Sequence, residues 1–394
     1  VEEVVRRAYK FQLRPTTKQV QALEAMLEDH RQLYNAALEH RKTAYAKAKV
    51  SVKYGVQSAD LKYIRREDPE GQGRWSFCSQ QATLRRLDKA FQAFFRRVKA
   101  GEKPGYPRFK GWGWFDTVES PEDGDGCRWD SVPGRTRVRF QGVGHVKVNQ
   151  HREVRGAVKT VSLKREGRRW YVVLSCDNVP EELLPQTGAV TGIDLGVASF
   201  LTTSEGVLVE NPRYFKASAD KLAAAQRELA RKKRGSNRRR KARDRVVATH
   251  RKIRNQRLDF AHKTALKLVR DHDMICHEAL KINNMTRSAS GTLEAPGTNV
   301  AAKAGLNRSI LDAGWGVFLS ILRAKAESAG RAVVEVSPRH TSQKCSRCGH
   351  IAAGNRVTQA EFRCLSCGLS MHADVNAAEN ILRAGLALQV ATAA

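Results

Sequence analysis

Two Cys-x2-Cys pairs stand near the C-terminal end of the chain, Cys345 with Cys348 and Cys364 with Cys367, fifteen residues apart. Four thiolates at this spacing suit one tetrahedral zinc ion, whereas a redox Cys-x2-Cys normally comes singly. With sulfur in all four positions the ion keeps no open place for a reactant, so the expected role is structural. Seven residues further on comes Asp374, and two other acids, Asp194 and Glu278, lie far upstream on apolar, strand-like runs. Each acid alone has a plainer reading: Asp194 as a turn residue, Glu278 as a surface residue at a strand end, Asp374 as a helix cap. Asp194 sits inside its run, however, where a charge is costly unless it binds something. Three such carboxylates brought together can hold two Mg²⁺ ions about 3.5–4 Å apart, one activating water and one stabilising the leaving 3′ oxygen of a phosphodiester.

The elements needed to position these acids can be read from periodicity. Residues 7–13 alternate, with Tyr9, Phe11 and Leu13 on one face, and Pro15 closes that strand. Thr16 or Thr17 can cap the helix that follows. Residues 79–98 predict a second helix whose stripe is Leu84, Leu87, Phe91, Phe95 and Val98, with Arg85, Arg86, Arg96 and Arg97 opposite. Residues 112–133, rich in Gly and acids, are expected to be loop. Short β runs at 137–140, 143–148, 158–163 and 170–176 suggest a small barrel or curled sheet, with the first strand as a candidate member. Residues 178–188 read as a boundary. Beyond it come strands at 190–195, 200–203 and 207–209, long helices at 217–234 and 237–271, and a strand at 274–278. A mobile Gly/Ser/Thr/Ala-rich segment is expected at 286–306, then a helix after Asp312 and a strand at 331–336. Val246, Ile253 and Phe260 recur every seven residues, the mark of a packing seam. This order is that of a ribonuclease-H-like core, which gathers acids from its first strand, a later strand and its last helix.

The 394-residue chain has 70 Lys and Arg against 40 Asp and Glu, a formal net charge of +30. That excess points to a polyanionic partner, nucleic acid first. No apolar run is long enough to span a membrane and no export signal is visible, so a cytoplasmic, nucleoid-associated protein with reduced Cys78, Cys127, Cys176 and Cys276 is expected. The densest basic run holds Arg231, Lys232, Lys233 and Arg234, then Arg238, Arg239, Arg240 and Lys241; Arg251, Lys252, Arg254 and Arg257 extend it. Such side chains contact phosphates and set affinity and register rather than sequence.

Five motifs together resemble the TnpB family: Gly192-Ile-Asp-Leu-Gly196, His277-Glu-Ala-Leu280, Asp312-Ala-Gly-Trp-Gly316, Thr341-Ser-Gln-x-Cys345-x-x-Cys348-Gly349 and Ala373-Asp-x-Asn-Ala-Ala-x-Asn-Ile381. These transposon-encoded proteins are regarded as ancestral to type V CRISPR effectors. The resemblance implies a multidomain α+β protein: an N-terminal wedge β-barrel (1–15 and 101–186) with a helical recognition insertion (16–100), then an RNase H-like RuvC α/β nuclease domain (187–340 and 373–394) with an inserted zinc ribbon (341–372). It implies an RNA-guided double-stranded DNA endonuclease whose guide RNA comes from the transposon end. Catalysis would rest on Asp194, Glu278 and Asp374 holding two Mg²⁺, with one structural Zn²⁺ on the four cysteines. The protein itself would read a short motif beside the target, and pairing with the guide would read the rest. Tyr54, Ser58, Phe77 and Gln80 match the family's motif-reading positions; a core Tyr or Phe and a solvated Gln are the plainer readings. Other readings are a compact type V CRISPR effector, a repressor that no longer cuts, and a guide-independent transposase. The chain departs from the pattern at Met371, around residues 119–130, and in a long segment at 288–306.

Overall fold

The computed structural model describes residues 4–132, 134–292 and 294–393, with side chains described as far as residue 391. The chain divides into two compact units, Val1–Pro180 and Glu181–Ala394.

In the first unit β1 (Val4–Arg14) leads into α1 (Thr17–Ala48), α2 (Tyr54–Glu67) and α3 (Phe77–Lys99). Then come β2 (Thr117–Ser120), β3 (Cys127–Val132), β4 (Arg135–Phe140), β5 (Gly144–Asn149), β6 (Ala157–Glu166) and β7 (Arg169–Pro180). The seven strands form one sheet in the order β2-β6-β7-β1-β5-β4-β3, antiparallel throughout. Because β1 pairs with β7 and β5, the three helices are an excursion from a sheet that closes only when the later strands arrive. The sheet curls enough for Phe11 of β1 to stack on Trp129 of the edge strand β3, ring centroids 5.9 Å apart. Tyr9, Phe11 and Leu13, with Trp170, Val172 and Leu174 of β7, bury alternate side chains in its core, each worth roughly 1.5–3 kcal/mol. Thr16 caps α1 in a reciprocal box with Gln19.

Two expectations change in this unit. Residues 112–133 are not simply loop: they carry β2 and β3, whose inward Val118, Cys127 and Trp129 are hidden in sequence among acids and glycines. The α3 stripe is buried only through Phe91, and Phe95 and Val98 are exposed because the helix outruns the core.

The second unit begins with β8 (Val190–Asp194), β9 (Ser199–Thr203) and β10 (Leu208–Glu210). It continues through α4 (Tyr214–Ala230), α5 (Asn237–Asp271), β11 (Met274–Glu278), α6 (Ile282–Met285), α7 (Val300–Ala313), α8 (Trp315–Ser328) and β12 (Ala332–Val336). A short hairpin, β13 (Glu361–Arg363) and β14 (Ser370–His372), precedes α9 (Ala373–Ala393). The main sheet runs β10-β9-β8-β11-β12, with β8, β11 and β12 parallel and the meander β8-β9-β10 antiparallel. Ile193, Ile275 and Phe200 face a core shared with α5 and α8, while Met274 and Cys276 face Ile381 of α9. The strand period of two therefore splits the sheet between helices on opposite faces. Part of the segment expected to be mobile is the first half of α7.

α9 can lie this close to the sheet because two glycines remove the obstruction. A Cβ on Gly192 would stand 2.1 Å from the Ala378 carbonyl oxygen, and one on Gly385 would stand 2.1 Å from Cys276 Sγ. Either contact would lift the helix, and with it the acid at its first turn.

Candidate active site and metal centre

Asp194 is the last residue of β8 and Glu278 the last of β11. These strands are parallel neighbours, with Cys276 opposite Gly192 and His277 opposite Ile193. One step further along that register brings Asp194 beside Glu278, both on the face that α9 covers. Asp374 occupies the first turn of α9. Three remote acids thus approach one another at the carboxyl end of a parallel strand pair, near enough for Asp194 to feel the charge of the other two.

The electrostatics record that approach. Burial pushes the Asp194 carboxyl up to about 7, reinforced by the negative charge of Glu278 and Asp374 and opposed by Arg356. Glu278 is also raised by burial, against a hydrogen bond from the Thr341 hydroxyl. Arg356 Nη2 lies 3.1 Å from Asp374 Oδ1. Beside Glu278, His277 is fully buried, and desolvation lowers its pKa. Its Nδ1 donates to the Glu278 carbonyl oxygen at 2.8 Å and its Nε2 accepts from Arg323 at 3.1 Å, which fixes the end of β11.

An all-carboxylate donor set suits a hard cation such as Mg²⁺, and like charges gathered against one guanidinium would gain from it. The three acids stand more loosely than the thiols. Among the described residues, only the four cysteines bring three or more ligand atoms within 4.8 Å of one another.

Those thiols are a close fit to zinc. Cys345 and Cys367 sulfurs are 3.6 Å apart, as are Cys348 and Cys364. A tetrahedron with 2.3 Å zinc–sulfur bonds has edges of about 3.8 Å. The Cys367 backbone N–H donates to Cys364 Sγ and draws that thiol down to about 6, toward the thiolate a metal needs.

The basic run divides into exposed side chains and side chains that hold the fold. Arg231, Lys233, Arg234, Arg238, Arg240, Lys241 and Arg254 are exposed on the α4–α5 hairpin, and Lys232 and Arg251 are half-buried. Arg239 instead turns inward and donates to the Leu229 and Lys232 carbonyls at 2.8 and 2.9 Å, closing the end of α4. Arg257 donates to the Leu311 carbonyl and sits 3.9 Å from Asp312, whose carboxylate accepts from the first amides of α4. Of the expected seam, Ile253 is buried and Phe260 packs edge-on against Phe200.

The proposed motif readers part company. Tyr54, Ser58 and Phe77 are half-buried around α2 and the start of α3, Tyr54 under Arg85 and Phe77 under Arg65. Gln80 is fully buried, accepting from Arg65 and donating to Gln72, so no base can reach it. Its neighbour Gln81 lies half-buried and donates to Ser58 Oγ at 3.0 Å.

Comparison with known proteins follows this geometry. A family described as "Probable transposase" matches residues 173–289, and one described as "Cas12f1-like, TNB domain" matches 315–381. A protein of Escherichia coli (strain K12), "Putative RNA-guided DNA endonuclease InsQ", is 35% identical over 97% of this chain and 92% of its own length. The chain belongs to the TnpB family. A second TnpB-family relative, "Putative RNA-guided DNA endonuclease" of Streptomyces pristinaespiralis, is 32% identical over 97% of this chain and 90% of its own. The fold resembles the protein of "Cryo-EM structure of the Cas12f1-sgRNA-target DNA complex" at TM-score 0.55 and 13% identity, over 96% of this chain and 98% of that one. A third family, described as "Helix-turn-helix domain", matches residues 5–49. In this TnpB-family chain those residues are one strand and one unbroken helix, with no turn between helices.

Sequence reasoning missed the groups that tie the ribbon to the acids. Asn376 and Asn380, one turn apart on α9, donate to the Lys344 carbonyl at 2.9 and 2.7 Å, and Asn376 accepts from the Ser346 amide. Their i, i+4 spacing in Asp374-Val-Asn-Ala-Ala-Glu-Asn380 was the available signal. Thr341, at the start of the ribbon, and Arg356, in its middle, both reach the acids, and their local sequence does not say so.

Proposed function

We propose that this chain is an RNA-guided DNA endonuclease that hydrolyses both strands of a duplex at a single RuvC-type site. The observation that carries this reading is the approach of Asp194, Glu278 and Asp374 to one another from two adjacent parallel strands and the covering helix. The three acids would hold two Mg²⁺ ions, which supply water activation and stabilisation of the leaving 3′ oxygen. Thr341 orients Glu278, and Arg356 steadies Asp374 while offsetting the charge around it. The cysteines would hold one structural zinc. The partition into wedge (1–15 and 101–186), recognition helices (16–100), nuclease (187–340 and 373–394) and ribbon (341–372) belongs to this reading. So do a guide RNA from the transposon end and a double-stranded DNA target. Gln81, half-buried and hydrogen-bonded to Ser58, replaces the fully buried Gln80 beside Tyr54, Ser58 and Phe77 as the group that reads the target-adjacent motif, because a glutamine must be reachable from solvent to pair with adenine. All three acids are present, so the non-cutting repressor has no feature in its favour. Among the described residues no helix is long and apolar enough to cross a membrane.

The test is to purify the protein from cells carrying its native locus, sequence the RNA that comes with it, and supply duplex DNA matching that RNA. Magnesium-dependent cutting of both strands is expected from the native protein. Asp194→Ala should bind the target and leave it whole. Cutting by Asp194→Ala would show the site to be misassigned.

A further inference from the structure

Between α3 and β2 the segment from residue 105 to 115 runs as a strap along α1, against the helix direction. Phe109 lies under Lys42 Nζ at 4.9 Å, and Lys110 is held further back toward the start of the helix. The Lys110 amide donates to Asn35 Oδ1 at 2.8 Å, and its carbonyl accepts from Asn35 Nδ2 and Arg31 Nη1, both at 2.9 Å. Phe115 is buried and anchors the far end. Tyr106 packs one edge against Phe91 and Phe94 of α3, ring centroids 5.6 and 5.3 Å apart. Tyr106, Phe109, Trp112 and Trp114 are all exposed, Trp112 by 61% and Trp114 by 81%. Large rings left in water in such a row are unusual unless something covers them.

The surroundings say what covers them. Lys42 and Lys110 lie along the strap, and Arg165 sits over the Trp112 ring, 5.8 Å from its centroid. Trp112 and Arg165 also wall a cleft of about 240 Å³. Exposed rings two or three residues apart, interleaved with cations, make a stacking platform for unpaired bases, with the cations available to phosphates. A duplex keeps its bases stacked on one another and cannot use such rings. DNA offers unpaired bases only while it is opened, whereas folded RNA carries unpaired loops at all times. A patch this apolar calls for a resident partner. We propose that the strap is a docking platform for an unpaired stretch of the guide RNA, an inference that rests on the RNA-guided reading above.

Two measurements test it. The protein co-expressed with its native locus is irradiated with ultraviolet light together with whatever RNA it carries, with and without duplex DNA matching that RNA, and peptides adducted to RNA or DNA are mapped. Adducts on residues 105–115 are expected. In parallel, Trp112→Ala/Trp114→Ala is titrated with a labelled unstructured oligouridylate and with an RNA duplex. The variant should fold as the native protein does, since both rings are largely in water. It should lose at least tenfold in affinity for the single strand, the order expected for losing one stacked base, and less than twofold for the duplex. RNA adducts elsewhere but none on the strap, or equal losses on both probes, would overturn the platform. Strap adducts found only to opened target DNA would overturn the choice of RNA. If no RNA accompanies the native protein, the RNA-guided reading fails first and the platform with it.

Discussion

Asp194 carries the largest electrostatic strain in the candidate site. An ordinary aspartate ionises near 3.8, and here burial and two neighbouring acids push it up to about 7. Well below pH 3.8 the carboxyl is neutral in folded and unfolded chains alike, and its charge costs the fold nothing. As pH rises toward 7 the unfolded chain releases the proton and the folded chain keeps it, so stability falls through that window and levels off above it. The full cost is at most about 4 kcal/mol. Asp194→Asn removes it. In magnesium-free buffer this variant should therefore melt several degrees above the native protein at pH 8 and at nearly the same temperature at pH 4, by differential scanning calorimetry. Adding magnesium should raise the native melting temperature and leave that of the variant unchanged. An equal difference between the two proteins at both pH values would mean that Asp194 does not titrate in this window.

The elements around that residue were unevenly legible. Strand order and the cysteine pairs could be read because alternation and covalent spacing are local properties. The β8–β11 register that sets Asp194 beside Glu278 is not local, and neither is the α9 contact that needs Gly192 bare. Gln80 and Gln81 show how fine the limit is: one helical step turns a side chain by about 100°, enough to exchange the core for the surface. β2 and β3 escaped because acids and glycines diluted their alternation. The ribbon was legible as a zinc site but not as a partner of the acids, which receive Thr341 and Arg356 from it. Cys345→Ser should reduce zinc from one per chain to almost none by elemental analysis, and should unfold the ribbon because metal binding there supplies folding energy. Magnesium-dependent cutting should fall at least tenfold although every carboxylate remains. Normal cutting by a zinc-free variant would separate the ribbon from the nuclease site.

At the scale of the whole molecule the excess of +30 charges has to be divided between folding and binding. Arg239 closes α4, Arg257 joins α5 to the last turn of α7, and Arg245 pairs with Glu228 at 2.7 Å. Arg238, Arg240 and Lys241, by contrast, stand exposed on the same helix as Arg239. Each phosphate that a protein neutralises releases condensed counterions, so the logarithm of affinity falls with the logarithm of salt at about 0.7–0.9 per phosphate contacted. Replacing Arg238, Arg240 and Lys241 together by Ala should flatten that slope by about two to three for a labelled RNA, with little change in melting temperature. Arg239→Ala should do the reverse, lowering the melting temperature by a few degrees through its two lost carbonyl contacts and leaving the slope as it was. The two variants differ by one face of one helix, so a slope that responds equally to both would mean that these charges act only through the net field and not through defined phosphate contacts.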